Sequence, residues 1–476
     1  MKLADTRAAF SVTSEPLMGA ASSHFCLACL LIVLAFSAVQ AAEGENGAEA
    51  SATAVIESEK DVLQKQDSQR GEPIGGNNQD PTVMLQDIKQ RRTQRDSLFR
   101  ASPLDPAHEG AEQWHDKLYK KTHINAGLAI HHLFQWLSES LPGTDDWGTA
   151  TDADLTASWA LTKRGEPYQG DLYVHLEARW NWETTGPMSL GPGSLGMLQN
   201  TANTYEKYVP VMIIRNFYYQ IGGPKSKGAL RFGKVTIDSI LGTTAHNTPT
   251  TSFLTFAATG AFAIALPDSG LGAVGVWHFN DRLKLLGSIH DANANRVDLG
   301  DISHGGFEGD FFSAVELGFK FAPDAKRAGY SKLDVWHTDG TSDGKPINGS
   351  NGPEGWGFYA LHEQQLSRNG NAVGVFKYGK SYDDSAYFKS QVSASFLYYE
   401  PHFFGTITND VVAVSLNWVD PVAAGSREES NVEILYRFPL FPKLDMTISY
   451  MGVINPALDP TNDYASAFSL RFVSVF

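Results

Sequence analysis

The sequence predicts an all-β fold, a transmembrane antiparallel β-barrel with a disordered or partly helical N-terminal extension. Three observations lead to this prediction. Runs of about ten residues alternate apolar with polar or small side chains from residue 124 onward, which is the period-two pattern of strands. A short apolar segment near the N-terminus is typical of an export signal. The chain also ends in an alternating segment that closes on Phe476.

The overall composition excludes several classes of protein. The 476 residues carry a formal net charge of −15, which argues against a nucleic-acid-binding protein, because such a protein needs a basic face for the phosphates. A mean hydropathy of −0.23 with a single long apolar run excludes a bundle of membrane-spanning helices. A membrane β-barrel stays compatible with these values, since its strands are apolar on one face only.

Residues 1–41 are predicted to be a secretory signal peptide. The apolar run 25–39 is followed by a small-x-small motif that ends at Ala41, where we expect cleavage. The run is shorter than the roughly 20 residues of a spanning helix. Both cysteines, Cys26 and Cys29, lie inside it, so the mature chain would have no thiol for a disulfide or a metal.

Residues 42–123 are predicted to form a polar periplasmic extension with a short helix near its end. As far as about residue 105 the segment is low in aromatic residues and rich in Glu, Gln, Asn, Gly and Arg. Such a segment buries too little apolar surface to offset the entropy lost on ordering, so we expect it to be mobile. A spacer and a partial plug are both open as its role.

From residue 124 to 476 the chain allows about 22 residues for each of 16 strands, enough for a tilted membrane strand of ~9–11 residues and a connection of similar length. Alternation alone also fits a soluble sandwich, whose charged faces would meet solvent. The export signal and the final strand favour the barrel, as do aromatic residues expected at strand ends. These aromatic residues are Tyr398, Tyr399, Trp418, Tyr436 and Tyr450.

Motifs spread over nearly the whole of residues 124–476 resemble the carbohydrate-selective porins of the OprB type. Two of them are Leu176-Glu177-Ala178-Arg179 and the segment 333–340, LDVWHTDG. The resemblance implies a 16-stranded barrel in the outer membrane of a Gram-negative bacterium, surrounded by outer-membrane lipid, that passes saccharides by facilitated diffusion. It also implies that the barrel-assembly machinery reads the terminal Phe476.

Strand parity predicts which side chains line the pore. A pore selective for sugars needs charged groups for the hydroxyls and aromatic planes for the apolar faces, and its binding must stay weak enough to conduct. Arginine suits this role because its planar, permanently charged group donates in a fork. Glu177 and Arg179 are the preferred pair, and Trp336 is the candidate stacking platform. The full set of pore-lining candidates is Glu177, Arg179, Glu316, Lys320, Lys332, Asp334, Trp336, Glu433, Arg437 and Arg471.

No metal, cofactor or enzymatic activity is predicted. Asp291 begins a segment with the one-three-five spacing of a calcium loop, but its sixth position is Arg296 and its twelfth is Ile302. No G-x-S-x-G elbow marks a hydrolase. The alternatives that stay open are a general diffusion porin, an outer-membrane barrel enzyme and a secreted sugar-binding sandwich. A monomer and a homotrimer are both compatible with the sequence.

Overall fold

The computed structural model describes most of the chain from residue 74 onward, and the predicted signal peptide lies outside the described residues, as does the extension up to residue 73. The described ranges are 74–92, 95–206, 211–223, 226–296, 309–321, 327–405 and 407–476.

Sixteen antiparallel strands form a closed barrel in this part of the chain, so the predicted fold class is confirmed and the sandwich is excluded. Each strand pairs with its neighbours in sequence, and β1 pairs with β16 to close the ring. The strands are β1 Ile124–Leu137, β2 Trp147–Thr162, β3 Gly170–Asn181, β4 Met212–Ile221, β5 Gly228–Val235, β6 Gly270–His278, β7 Leu283–Asp291, β8 Phe311–Phe321, β9 Gly329–Thr338, β10 Gly355–Gln365, β11 Ala372–Ser381, β12 Phe388–Tyr399, β13 Val411–Pro421, β14 Glu429–Phe441, β15 Leu444–Ile454 and β16 Tyr464–Val475.

The outer face of the barrel wall is apolar, whereas the charged side chains of the wall's alternating strands are turned inside. On β8, Val315 and Leu317 point outward and are 51% and 44% exposed, whereas the alternate residue Glu316 is fully buried inside. A soluble protein would show the opposite distribution. An apolar outer face with the charged side chains turned inside is the arrangement that a barrel surrounded by lipid requires.

Large aromatic side chains lie on the outer face at both ends of the strands. Trp136, Trp147 and Trp356 lie near one end, and Trp159 and Trp277 near the other, all with more than a third of their surface exposed. This distribution matches the aromatic girdles of membrane barrels. One residue that the sequence placed in a girdle points inward instead, since the hydroxyl of Tyr399 lies 2.6 Å from Nδ1 of His246 inside the barrel.

The two ends of the barrel differ. At the terminal end, where β1 begins and β16 ends, most connections between strands are short turns. At the opposite, loop end, two long connections fold back into the interior. We call residues 182–206 inner loop 1 and residues 236–269 inner loop 2. Both are largely buried, as at Met197 and Tyr205 of the first and Phe253 of the second.

The described helices are few, and the partly helical extension that the sequence predicted is confirmed by two of them. They are α1 Pro81–Arg92 and α2 Asp105–Thr122, followed by the single turns α3 Pro187–Leu190 and α4 Phe256–Thr259 in the inner loops. None of the helices in the described part of the chain is both long and apolar enough to cross a bilayer.

Helix α1 lies inside the barrel, where a partial plug, one of the two roles left open for the extension, would be placed. It packs against β1, β2, β3 and β16, and its residues Val83, Met84, Leu85 and Ile88 are almost completely buried. The expectation of a mobile segment therefore fails for residues 74–92. The few apolar residues of this segment are too sparse to form a core of their own, and they become buried only because the barrel supplies the other half of the contact.

Helix α2 lies at the terminal end and contacts the last residues of the chain. The ring of His108 stacks on Phe476 with 4.6 Å between centroids, and its Nε2 lies 3.0 Å from the Ser474 hydroxyl. Burial and the nearby Lys443 lower the pKa of His108 below its ordinary value of 6.5. The residue therefore stays neutral at pH 7 when α2 is docked.

We expect the docking of α2 to weaken as the pH falls. Because the pKa of His108 is lowered in the docked state, its contribution is complete above pH 6.5 and is lost as the pH falls through the docked-state value. Hydrogen exchange of the α2 amides between pH 7.5 and 5 measures this. His108→Gln, which does not titrate, should lose most of this pH dependence. An equal pH dependence in both proteins would contradict the assignment.

Candidate functional site

A cluster of charged side chains lies on the inner wall of β2, β3 and β4. Strand β3 turns Tyr173, His175, Glu177 and Arg179 inward at alternate positions. The register of β2 against β3 sets Asp152 directly across from Arg179 and Asp154 across from Glu177. Opposite residues on the same face of two neighbouring strands lie ~4.5–5.5 Å apart at Cβ, so this register alone brings the charges together.

Glu177 is the centre of the cluster. Its Oε1 accepts hydrogen bonds from Arg179, with the Nε donor at 3.1 Å. Its Oε2 accepts from Nη1 of Arg215, on β4, at 3.1 Å. Arg179 also lies 3.5 Å from Oδ1 of Asp152. Two guanidinium groups therefore hold one carboxylate from both sides.

The cluster extends from the wall to inner loop 2. Nη2 of Arg215 lies 3.2 Å from Oδ2 of Asp238, which also accepts a hydrogen bond from the Asn348 side-chain amide at 3.2 Å. The side chain of Asp238 is 21% exposed, whereas those of Glu177 and Arg179 are almost fully buried. Asp238 and Asn348 are thus the edge of the cluster that a solute in the lumen would reach first.

Two histidines complete the cluster on the β1 side. Nε2 of His175 lies 2.8 Å from Oδ1 of Asp154, and Nε2 of His131 lies 3.5 Å from Oδ2 of the same residue. The side-chain amide of Asn216 lies 3.3 Å from the other ring nitrogen of His175. Asp154 is therefore held between two imidazoles.

The carboxylates of Asp152, Asp154 and Glu177 lie close enough to bind one cation, with oxygens within 4.8 Å of one another. The two arginines already contact both oxygens of Glu177. A metal at this point would sit beside two permanent positive charges, which is electrostatically unfavourable. The cluster instead presents hydrogen-bond donors and acceptors held in fixed directions.

A second charged group lies on β7, β8 and β9. Glu316 pairs with Lys284 at 2.9 Å and with Lys332 at 3.4 Å, and Asp334 lies directly across from Glu316. All four are buried on the inner face. Lys320 lies on the same inward parity of β8, near the terminal end, and is half-buried.

Trp336 lies on the inner face, but its ring is part of an apolar cluster. It is 2% exposed and stacks on Phe312 with 6.5 Å between centroids. A Cβ at Gly357 would approach the indole to 2.6 Å, so the backbone of β10 packs closely beside it. A sugar could contact the ring only after these neighbours had moved.

The three remaining candidates hold inner loop 2. The Glu433 carboxylate accepts the Leu254 N–H at 2.9 Å, and Nη1 of Arg437 donates to the Thr251 carbonyl at 2.7 Å. Arg471 donates to the Pro249 carbonyl at 2.9 Å. These side chains lie inside the barrel and use their polar atoms to fix the loop that narrows it.

Several residues of the cluster were not identified from the sequence. Arg215 and Asn216 both point inward because a β-bulge interrupts the register between β3 and β4, and simple alternation would turn one of them outward. The signal was present, since Arg215 is the single charged residue of β4 and a charge facing lipid would cost ~2–4 kcal/mol. Asp238 lies in a loop, where no parity applies.

Comparison with solved structures identifies porin barrels as proteins of similar fold. A high-pH structure of OprB from Pseudomonas putida superposes with a TM-score of 0.61 at 11% identity, covering 77% of this chain and 97% of that one. A low-pH structure of the same protein gives 0.47 at 10% identity, covering 80% and 100%. A mutant porin of Rh. blastica gives 0.42 at 9%, covering 74% and 100%.

The likeness to the high-pH OprB structure supports the fold predicted from the motifs, and at this identity it shows the fold alone. No protein-family model matches the sequence, and no curated protein matches it either.

Proposed function

We propose that the chain is an outer-membrane porin of a Gram-negative bacterium through which mono- or small oligosaccharides diffuse passively. The observation that carries the proposal is the cluster around Glu177, where each carboxylate has a cationic or imidazole neighbour. The OprB-like fold and the apolar outer face of the barrel support the membrane location. In this proposal the barrel is surrounded by outer-membrane lipid and is inserted by the barrel-assembly machinery through Phe476.

The position of the cluster near the loop end fits a role in selecting solutes as they enter the pore. Glu177 and Arg179 lie in the part of β3 that is nearest the loop end, beside Asp238 of inner loop 2. A solute entering at the loop end would meet the exposed edge at Asp238 and Asn348, and then the two arginines. It would exchange water hydrogen bonds for bonds to these groups, which keeps the net binding weak.

The paired charges also favour neutral solutes. The guanidinium groups of Arg179 and Arg215 already pair with Glu177 and Asp238, so neither arginine offers a free positive charge to an anionic solute. An ionic solute would have to disrupt these ion pairs before it could bind. No turnover and no cofactor enter the proposal, because diffusion through the pore needs neither.

Replacing Arg179 with Gln is expected to weaken sugar binding inside the pore. A hydrogen bond from a charged group contributes about 1.5–3 kcal/mol, which corresponds to a roughly 10–100-fold loss of affinity. The measurement is the block of single-channel current by glucose and by a disaccharide in a planar bilayer. The side chain of Arg164 is exposed on a turn at the terminal end, so Arg164→Gln is the matched control.

The outcomes separate the candidate functions. Saturable block that is weakened by Arg179→Gln and unchanged by Arg164→Gln supports a saccharide site at the cluster. Conductance without block by either sugar would favour a general diffusion porin. A correctly folded barrel that never conducts, even without residues 74–92, would contradict the porin proposal.

A further inference from the structure

We infer that residues 74–92, the plug segment, are a gate that closes the terminal half of the lumen and leaves it when solute passes. This inference rests on the proposed pore function and adds its regulation. The segment is not part of the sheet: its contacts with the wall are side-chain contacts and hydrogen bonds to loops and strand ends. The barrel therefore keeps its strand pairing whether the segment is bound or released.

The plug segment crosses the barrel from wall to wall. Near its start, the Ile74 carbonyl accepts a hydrogen bond from Lys284 of β7 at 3.3 Å. Near its end, Arg91 pairs with Asp445 of β15. Strands β7 and β15 lie eight positions apart in a ring of sixteen, so they face each other across the lumen. Lys284 and Asp445 are each the second residue of their strand, at the terminal end.

The first attachment is a completely buried ion pair. Arg231 of β5 donates through both terminal nitrogens to the two oxygens of Asp80, and neither side chain is exposed. The guanidinium also lies 4.2 Å from the ring centroid of Tyr218 and donates to Gln220. Asp80 serves the helix as well, because its Oδ1 accepts the Thr82 N–H at 3.0 Å. The Asp80 carboxylate thus stabilises the start of α1 and also fixes the helix to the barrel wall.

The second attachment lies at the other end of α1. Asp445 forms ion pairs with Arg91 and with Arg95, whose Nη1 lies 2.9 Å from Oδ1 of Asp445. Arg92 donates to the Ala126 carbonyl at 3.1 Å and to that of Phe476. The C-terminal end of the helix is therefore fixed where the first and last strands of the barrel meet.

The segment closes the space below inner loop 2. The Asn77 N–H donates to the Ser239 carbonyl at 2.8 Å, and the Asn78 side chain donates to the Thr250 hydroxyl at 2.7 Å. On the β12–β14 side of α1, a cavity of ≈ 50 Å³ lies between the segment, inner loop 2 and the wall. That space holds a few waters and is too small for a sugar ring.

A second cavity at this end has no described lining residue in the inner loops. It measures ≈ 510 Å³ and lies between α1, α2 and the first strands, with Arg92 and Tyr119 in its lining. Among the described residues that line it, none belongs to inner loop 1 or inner loop 2. It is therefore a vestibule on the terminal side of the plug segment, and Leu85 and Ile88 of α1 form part of its wall.

Both attachments of the plug segment are ion pairs, whose charges can be hydrated again when the segment leaves the lumen. When the segment leaves, Arg231 and Asp445 would face a water-filled lumen rather than an apolar phase, so each charge regains hydration as it loses its partner. A docked segment of this kind can exchange with a released one without unfolding of the strands. The result is a two-state element whose released form opens the path from the loop end to the vestibule.

A disulfide that locks the segment tests the inference. A Cβ placed on Gly127 of β1 would lie 3.5 Å from Cβ of Ile88 in α1, within the range of a disulfide. Ile88→Cys with Gly127→Cys is introduced into the full chain with Cys26 and Cys29 changed to serine. The single Ile88→Cys and Gly127→Cys variants are controls, and a fourth protein lacks residues 74–92.

We expect the oxidised double variant to pass no current and to admit no sugar into liposomes, and reduction to restore both to the level of the single variants. The protein without residues 74–92 should conduct continuously. Equal conductance of the oxidised and reduced forms, with the disulfide verified by mass, would overturn the inference. The inference would also be overturned if neither the oxidised nor the reduced form conducted while the deletion protein did, because the plug segment would then be fixed in place. Silence of the deletion protein as well would instead overturn the pore function.

Discussion

Asp80→Asn is expected to release the plug segment from the wall while the barrel stays folded. The substitution leaves the guanidinium of Arg231, which is completely buried, without its anionic partner. Breaking a buried ion pair from one side costs ~3–5 kcal/mol, because the remaining charge is uncompensated. The substitution also weakens the start of α1, where Asp80 accepts the Thr82 N–H. The equilibrium between docked and released segment should therefore shift by more than a hundredfold.

Hydrogen exchange of the α1 amides in detergent measures this shift, with the amides of β9 and β10 as an internal reference. Asp96 is exposed, so Asp96→Asn should leave α1 protection as it is. Adding Arg231→Met to Asp80→Asn removes the unpaired charge and should recover part of the protection. If α1 exchanged at the same rate in Asp80→Asn as in the parent, the ion pair would not be what holds the segment.

The faces of the strands could be predicted from the sequence because two physical constraints act together. Alternation gives two possible registers, and the energy of a charge in lipid chooses between them. At Glu177 and Arg179, and again at Glu433 and Arg437, an acidic and a basic residue share one parity opposite apolar residues, so the inward face is unambiguous. The structure places all four inside.

The parity of a residue in a strand predicts which side of the barrel wall it faces, but not which residues pack around it inside the barrel. Trp336 has the inward parity expected of a stacking platform, yet Phe312 and the backbone at Gly357 occupy its surroundings. Arg437 and Arg471 are likewise inside, but they donate to carbonyls of inner loop 2. The two arginine contacts join residues 186 and 222 positions apart, and no local pattern encodes them.

The position of the plug segment inside the barrel also could not be predicted from its local sequence pattern. Its sequence is polar and its helix α1 has almost no amphipathic pattern, since buried Val83, Met84 and Leu85 are consecutive. A helix buried on several sides has no single apolar face to detect. The informative signal lay in Asp80 and Arg91, charges that meet Arg231 and Asp445 on the wall, and those pairings exist only in the folded barrel.

Glu433→Leu is expected to free inner loop 2 and to widen the pore. The Glu433 carboxylate accepts the backbone N–H groups of Leu254 at 2.9 Å and of Thr255 at 3.3 Å. Without it, two N–H groups inside the barrel lose their acceptor, at ~1–3 kcal/mol each. We expect the loop to satisfy them by moving toward water and, as it moves, to draw Asp238 away from Arg215. Glu433→Gln, which keeps one acceptor oxygen, should have a smaller effect.

The widening is measured as unit conductance and as sugar block in the protein that lacks residues 74–92, so that the plug segment does not mask it. Glu429 lies two inward positions away from Glu433 on β14 and provides a matched comparison. Its carboxylate accepts the N–H groups of Leu198 and Gln199, so it holds inner loop 1 instead. Glu429→Leu should enlarge the conductance while leaving Asp238 against Arg215, so sugar block persists. Glu433→Leu should enlarge the conductance and weaken the block together. If both variants kept the parent's sugar block, the contact between Arg215 and inner loop 2 would have no part in binding the solute.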